Sequence, residues 1–337
     1  MRKAIAVSVG GFPGANTTLA ELAAVTGEIH HITIAATPGP SADVRFVVDL
    51  LKSKRARLLL LGGWSAAYEP LVAAATAAGV RVAVYWTSTA AQSEMGREMD
   101  RLTKLIEDPR VTYRWFAQHS FAEAVGRHLP GCAWLPNVIS ALPRSGRRTL
   151  PRRSPRPARR PVEIGLFCSP HEYHRKNVLT SLLAVASLTA PYRLHLNGLS
   201  ADAHYRAWLE RLGIHWVDHG WMTRADYLDT IAGLDIGLQV SFTESFNYVA
   251  ADHILSGVPV VVSEMVAVMR DLPASVRRPF VVLTPDEPGA IATMISTLTG
   301  PTAQTGTRIA AVGRALTANQ RTRIASVRRF FRKVLHP

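Results

Sequence analysis

The chain has 337 residues, more than one ordinary hydrophobic core holds, and suits two domains of roughly 150 residues each. Apolar residues make up 47%, which excludes wholesale disorder, and no stretch reaches the roughly 20 uninterrupted apolar residues that span a bilayer. The formal charge of +14 points to anionic partners, while two cysteines far apart, Cys132 and Cys168, exclude a thiolate metal cluster and read as buried thiols in a reducing cytoplasm.

The opening "MRKAIAVSVGGFPG" begins like a secretory signal, with two cations before an apolar run. That run is only about five residues, short of the usual ~7–15, and ends in glycines, so it reads as a first buried strand of a cytoplasmic protein. Short apolar runs at 4–9, 30–37, 56–63, 81–86 and 110–117 then alternate with helical-period stretches at 16–27, 42–53, 66–78, 91–106 and 119–128. Such alternation predicts βαβ units and a parallel sheet covered on both faces. Between the first strand and helix lies "VGGFPGANTT" (9–18), where Gly10, Gly11 and Gly14 permit close backbone approach. "GGWS" (62–65) closes the third strand at the same sheet edge, either lining a site or making a plain turn.

Residues 138–161 hold five prolines, and 144–161 hold eight arginines and no acid, the composition of a linker. Strands are then predicted at 162–168, 192–198, 214–220, 235–241 and 258–263, with helices at 176–190, 202–212, 223–233, 246–256 and 287–299. The domains expected are therefore 1–140, a linker at 141–161, 162–304, and a helical tail at 305–337. Two doubly wound domains bind ligands at the carboxyl ends of their strands, so a cleft between them is the expected site.

The stretch "SFTESFNYVAADHILSGVPVVVS" (241–263) begins where the strand 235–241 ends. Ser245 suits an N-cap, leaving the amides of Phe246, Asn247 and Tyr248 as an anion site at the helix N-terminus. Glu244 beside it is either a capping charge or a ligand group. Asp252 lies two turns in, amid apolar residues, and needs a partner, either a ligand hydroxyl or a protein donor.

A Glu followed by seven residues and a second acid, within "ESFNYVAAD", resembles the donor-binding segment of retaining GT-B glycosyltransferases, most of all the large family of lipopolysaccharide and trehalose-type enzymes. "YLDTIAGLDIGLQVSFTES", "HRKNVLTSLLAVA" (174–186) and "WLPNVIS" (134–140) are similar to that family's preceding helix–strand–loop, its lysine-bearing helix start and the strand end before its linker. Two departures stand out: Asn247 occupies the place of the family's glycine, and the second acid is Asp252 rather than the longer Glu. The family's N-domain histidine has no counterpart in "YWTSTAAQ". His119 is a candidate for it or an ordinary histidine near a helix start.

The resemblance implies an α/β fold of GT-B type, two doubly wound Rossmann-like domains facing across a cleft, with the tail bracing the first. It implies that Glu244 hydrogen-bonds the donor sugar and that Lys176, with Arg175, neutralises the diphosphate. Asp252 would hold the ribose, and Ser245, Phe246 and Asn247 would line the donor site. Gly10, Gly11 and Gly14 would form a cleft loop. The donor would be a nucleotide-diphosphate sugar, transferred with retention, without a metal or other cofactor. The acceptor is expected to be a glycan or lipid-linked glycan, or, from the basic stretches, DNA carrying a hydroxymethylated base. "VRRFFRKVL" suits peripheral contact with an anionic inner membrane through Phe330, Phe331, Val334 and Leu335. The bland alternatives are a solvated basic linker and helix, and a nucleotide-sugar-binding protein that no longer transfers.

Overall fold

The computed structural model describes residues 3–10, 13–35, 40–95, 99–141, 160–169, 172–300 and 304–336. Gly11 and nearly all of the expected linker lie outside them. The chain forms two compact units, residues 1–141 with 320–337, and residues 142–319. The first unit interleaves β1 (Ala4–Val9), α1 (Pro13–Thr26), β2 (Ile29–Ile34), α2 (Pro40–Ser53), β3 (Leu58–Gly62), α3 (Tyr68–Ala77), β4 (Arg81–Trp86), α4 (Ala90–Met95), α5 (Met99–Glu107), β5 (Tyr113–Phe116), α6 (His119–Gly126) and β6 (Cys132–Trp134). The second continues with β7 (Val162–Leu166), α7 (Val178–Ala186), β8 (Tyr192–Leu196), α8 (Ala203–Arg211), β9 (Trp216–Asp218), α9 (Arg224–Gly233), β10 (Ile236–Gln239), α10 (Tyr248–Leu255), β11 (Val260–Ser263), α11 (Ala267–Arg270), α12 (Ala274–Arg277), β12 (Val281–Val282) and α13 (Pro288–Thr299); α14 (Gln304–Leu335) begins in the second unit and from Gln320 onward belongs to the first.

Each unit carries one six-stranded parallel sheet, in the orders β2-β1-β3-β4-β5-β6 and β12-β11-β10-β7-β8-β9. The alternation of side chains explains both faces of the first sheet. Ile5, Val7, Leu59, Leu61, Val82 and Val84 pack against Val47, Leu71 and Leu102 from α2, α3 and α5. On the other face Ala4, Ala6, Leu58, Leu60, Ala83 and Tyr85 receive Leu19 and Leu22 of α1 and the end of α14.

That packing corrects the membrane expectation for the tail. Phe331 is 1% exposed and Leu335 fully buried, while Phe330 and Phe331 meet the Trp115 ring edge-on at 5.1 and 5.4 Å. The apolar stripe at the end of the helix is spent on the core of the first unit, and Arg328, Arg329, Arg332 and Lys333 beside it are exposed. Two arginines from the sheet cap the end of α14: Arg81 Nη2 donates to the Val334 carbonyl at 2.7 Å and Arg57 Nη1 to that of Leu335 at 3.4 Å. They satisfy carbonyls that the helix itself cannot.

Other differences from the sequence reading are local. The strand expected at 30–37 ends at Ile34, and the helix expected at 91–106 is two helices. β6 and β12 were not anticipated, because strands of three and two residues are too short to show a period. Cys132 is half-buried rather than buried. No described helix is long and apolar enough to cross a membrane.

In the second unit α10 lies so close to the sheet that only glycines fit beneath it. The His253 ring sits over Gly237 of β10 and Gly165 of β7, with Nδ1 donating to the Val249 carbonyl at 2.8 Å. A Cβ at Gly237 would lie 2.5 Å from His253 Nε2. Gly237→Ala is therefore expected to destabilise the chain by about 1–3 kcal/mol through overpacking, read as a lower midpoint in urea. An unchanged midpoint would show that α10 can lift off.

Candidate functional site

In the second unit the strand order marks a candidate ligand edge. From β7 the chain builds β8 and β9 to one side, then returns to place β10, β11 and β12 on the other. The order reverses between β7 and β10, and ligands of open α/β sheets bind outside the carboxyl ends of the strands at that point. Two loops leave there, the one before α7 and the one before α10.

The first loop turns sharply into Asn177, whose left-handed backbone (φ 55°) is one that asparagine adopts more readily than most residues. Its side chain donates to the Pro285 carbonyl at 2.5 Å. This turn delivers Arg175 and Lys176 onto the second loop. There the Phe242 amide donates to the Arg175 carbonyl at 2.9 Å, and Arg175 Nη1 donates to the Thr243 carbonyl at 2.9 Å.

Glu244 lies at the centre, 5% exposed. Lys176 Nζ is bonded to its Oε1, and Arg175 Nη1 stands 3.0 Å from the same oxygen. Ser241 Oγ donates to Oε1 at 3.0 Å and Asn247 Nδ2 at 3.2 Å. All four donors converge on Oε1, which leaves Oε2 without a partner among the described residues. Burial alone would push the carboxyl up; Lys176 and Arg175 outweigh it and hold the group below the ordinary carboxylate range. Arg175 is the mirror case: burial lowers it, and Glu244 with Glu172 (2.5 Å from Nη2) raises it by more. An ammonium has three donors, and Glu244 engages one of those on Lys176.

Asn247 stands in a backbone conformation that glycine adopts most readily. Its φ of 77° is in the left-handed region, which asparagine tolerates. Its side chain then supplies what a glycine cannot: Oδ1 accepts from the Ala250 amide at 2.9 Å, and Nδ2 bridges Gln239 Oε1 and Glu244. Asn247, not Ser245, is thus the N-cap of α10, and the helix begins at Tyr248. The cap falls two residues later than expected because the Phe246 carbonyl is drawn off to accept from the Val268 amide at 3.0 Å. Phe246 is buried at 2% exposure.

Asp252 has a protein donor. Arg224, the first residue of α9, reaches across with both terminal nitrogens, Nη1 to Oδ2 and Nη2 to Oδ1, each at 2.6 Å. Thr223 caps α9, accepting from the Asp226 amide, and the Arg224 guanidinium lies over the Tyr227 ring at 5.4 Å. The sequence reading missed Arg224, Ser241 and Gln239. A threonine cap at "TRAD" marks a helix start, but nothing in it says which neighbouring helix the following arginine reaches.

Gly10 closes β1, its amide donating to the Ile34 carbonyl at 2.8 Å, and Gly14 is in the first turn of α1, both in the first unit. His119, also there, is exposed, 3.5 Å from Glu123 and edge-on to Trp134. Cys168 is buried, which pushes its thiol up to about 12 and disfavours the reactive thiolate. Among the described residues no group of three or more His, Cys, Asp or Glu side chains could hold a metal ion.

The two units together have the GT-B fold, and solved structures align with the chain along nearly its whole length. HepE of Anabaena, in complex with UDP and glucose, superposes with a TM-score of 0.72 at 14% identity, covering 99% of each chain. An α,α-trehalose-phosphate synthase (UDP-forming) from Burkholderia xenovorans, in complex with glucose-6-phosphate, gives 0.67 at 13% identity, covering 99% of this chain and 100% of that one. The lipopolysaccharide outer core galactosyltransferase WaaB gives 0.59 at 14%, covering 96% and 99%. No protein-family profile and no curated protein sequence matches the chain.

Proposed function

We propose that this chain is a retaining glycosyltransferase that moves a sugar from a nucleotide-diphosphate donor to an acceptor hydroxyl. The observation that carries this reading is Glu244: a buried carboxylate at the switch point whose Oε1 is fixed by four donors while Oε2 is left to a ligand. A carboxylate oxygen so held accepts from sugar hydroxyls without having to be reorganised. Lys176 and Arg175 stand beside it as the chain's own cations for the diphosphate. The amides at Ser245, Phe246 and Asn247 line the donor, and Asp252 marks the ribose end. The fold shared with a protein crystallised with UDP and glucose supports the same assignment.

In this mechanism the bond between the anomeric carbon and the diphosphate oxygen breaks with its electron pair passing to oxygen. Lys176 offsets the charge that grows there, which is where an enzyme gains most. The acceptor oxygen forms the new bond on the face the diphosphate leaves, and its proton passes to the departing phosphate. The acceptor is a glycan hydroxyl. The apolar tail residues Phe331, Val334 and Leu335 are packed in a core and so are not offered to a lipid surface.

A panel of uridine, guanosine and adenosine diphosphate sugars, incubated with the protein and simple sugar acceptors and read by mass spectrometry, tests this. Transfer, or slow hydrolysis, from one donor is expected. Tight binding of a donor with neither outcome would identify a binding protein instead, and no binding at all would end the assignment.

A further inference from the structure

Asp252 and Arg224 form a pair whose two halves are unequally placed. The Asp252 side chain is 6% exposed and both its oxygens are taken by the guanidinium, whereas Arg224 is 57% exposed. A ligand arriving at this end of the unit therefore meets the arginine first. Arg224 is not a loose surface cation. Its backbone is fixed as the first residue of α9 behind the Thr223 cap, its head by the fork onto Asp252, and its flat face by the Tyr227 ring. Asp252 in turn is rigid, five residues past the cap of α10, roughly 7–8 Å along the axis at a rise of about 1.5 Å per residue.

An aspartate in place of a glutamate draws the carboxylate back toward its helix by one methylene, and the space it gives up is filled by the guanidinium. What the helix pair presents there is a planar donor group rather than an acceptor. A guanidinium carries five N–H donors in a fixed plane, and its geometry suits two oxygens side by side. A vicinal diol offers two such oxygens, each able to accept.

Resting on the function proposed above, we infer that Arg224 is the residue that hydrogen-bonds the ribose hydroxyls of the bound nucleotide, with Asp252 as its positioning residue. The acid serves the ribose at second hand: it holds the fork flat and in register, and the arginine makes the contact. Arg224 is then specificity-determining for ribonucleotides over deoxyribonucleotides.

Calorimetry separates this from direct contact by the acid. The unaltered protein is titrated with uridine, guanosine and adenosine diphosphates, and then with the 2′-deoxy and 3′-deoxy forms of whichever binds. The ribose form is expected to bind about tenfold or more tightly than either deoxy form, as loss of one bond to a charged group implies. In Arg224→Ala that ratio falls to near one, and the ribonucleotide binds as weakly as its deoxy forms do. Arg224→Lys keeps the counter-charge of Asp252, and with it the fold, but has no fork to span a diol, so the ratio falls there too. If either variant, shown folded by its melting curve, keeps the full ratio, Asp252 itself grips the ribose and the inference is wrong. If the unaltered protein binds no nucleoside diphosphate, the proposed function falls and this inference with it.

Discussion

Lys176→Ala is expected to lower kcat about 10²–10³-fold, the range seen when one donor to a developing oxyanion is removed. Affinity for the intact donor should change much less, because the bonds lost are those that strengthen as the diphosphate leaves. The fold should survive the change. Glu244 keeps Arg175, Ser241 and Asn247 on Oε1, so its charge is not left buried without a partner.

Glu244→Gln removes the sugar acceptor and should be as damaging to turnover, but for two reasons at once. Lys176 and Arg175 are both buried, and without the carboxylate Lys176 loses its counter-charge while Arg175 keeps only Glu172, at a cost of about 3–5 kcal/mol by analogy with other broken buried pairs. The two variants thus separate chemistry from stability: the first slows turnover in a protein that melts nearly as before, the second lowers both. The pH dependence follows from the same geometry. The Glu244 carboxyl is held below its ordinary value, so its contribution to stability is fully present above the unfolded value of about 4.3 and is lost as pH falls through the folded one. In Lys176→Ala one of the opposing cations is gone, the carboxyl is held down less, and the stability lost over that acid range should be smaller. Unaltered turnover in both variants would end the catalytic assignment.

How much of this was legible in the sequence depends on the distance over which each feature is decided. The strands at 4–9 and 81–86 match the observed bounds, because a nearly continuous apolar run of that length suits a strand of a doubly covered sheet. Helix starts were less exact. The N-cap of α10 was placed at Ser245 because serine is a good cap, but whether a cap forms there depends on where the Phe246 carbonyl goes, and it goes to Val268, twenty-two residues away. The spacing of Glu244 and Asp252 was visible. That Asp252 would be met by Arg224 was not, since the two lie on different helices whose rotations only packing sets. The tail shows the same limit. Its periodic apolar residues were plain, yet a stripe that suits a lipid surface suits a sheet face equally, and only the small Ala4, Ala6 and Ala83 side chains, far away in sequence, make room for it.

That choice between lipid and core gives the largest expected effect on stability. Phe331→Ala should cost about 3–5 kcal/mol, the range for a buried aromatic truncated to alanine. The ring is 1% exposed and shares the face of Trp115 with Phe330, so no side chain is free to collapse into the space. Phe46→Ala, at a phenylalanine 56% exposed, should be close to neutral and serves as the comparison. Ending the chain at Asn319 is the stronger form of the same test. It deletes Val327, Phe331, Val334 and Leu335 together, removes Gln320, whose Oε1 accepts from the Ile139 amide at 3.1 Å, and bares the part of the first sheet's face that α1 leaves to α14. Hydrogen exchange should then show Leu58–Gly62 losing its protection while Val260–Ser263, in the other unit, keeps it. If the tail were instead a membrane anchor, Phe331→Ala would melt with the unaltered protein, and the shortened chain would keep protection in both strands.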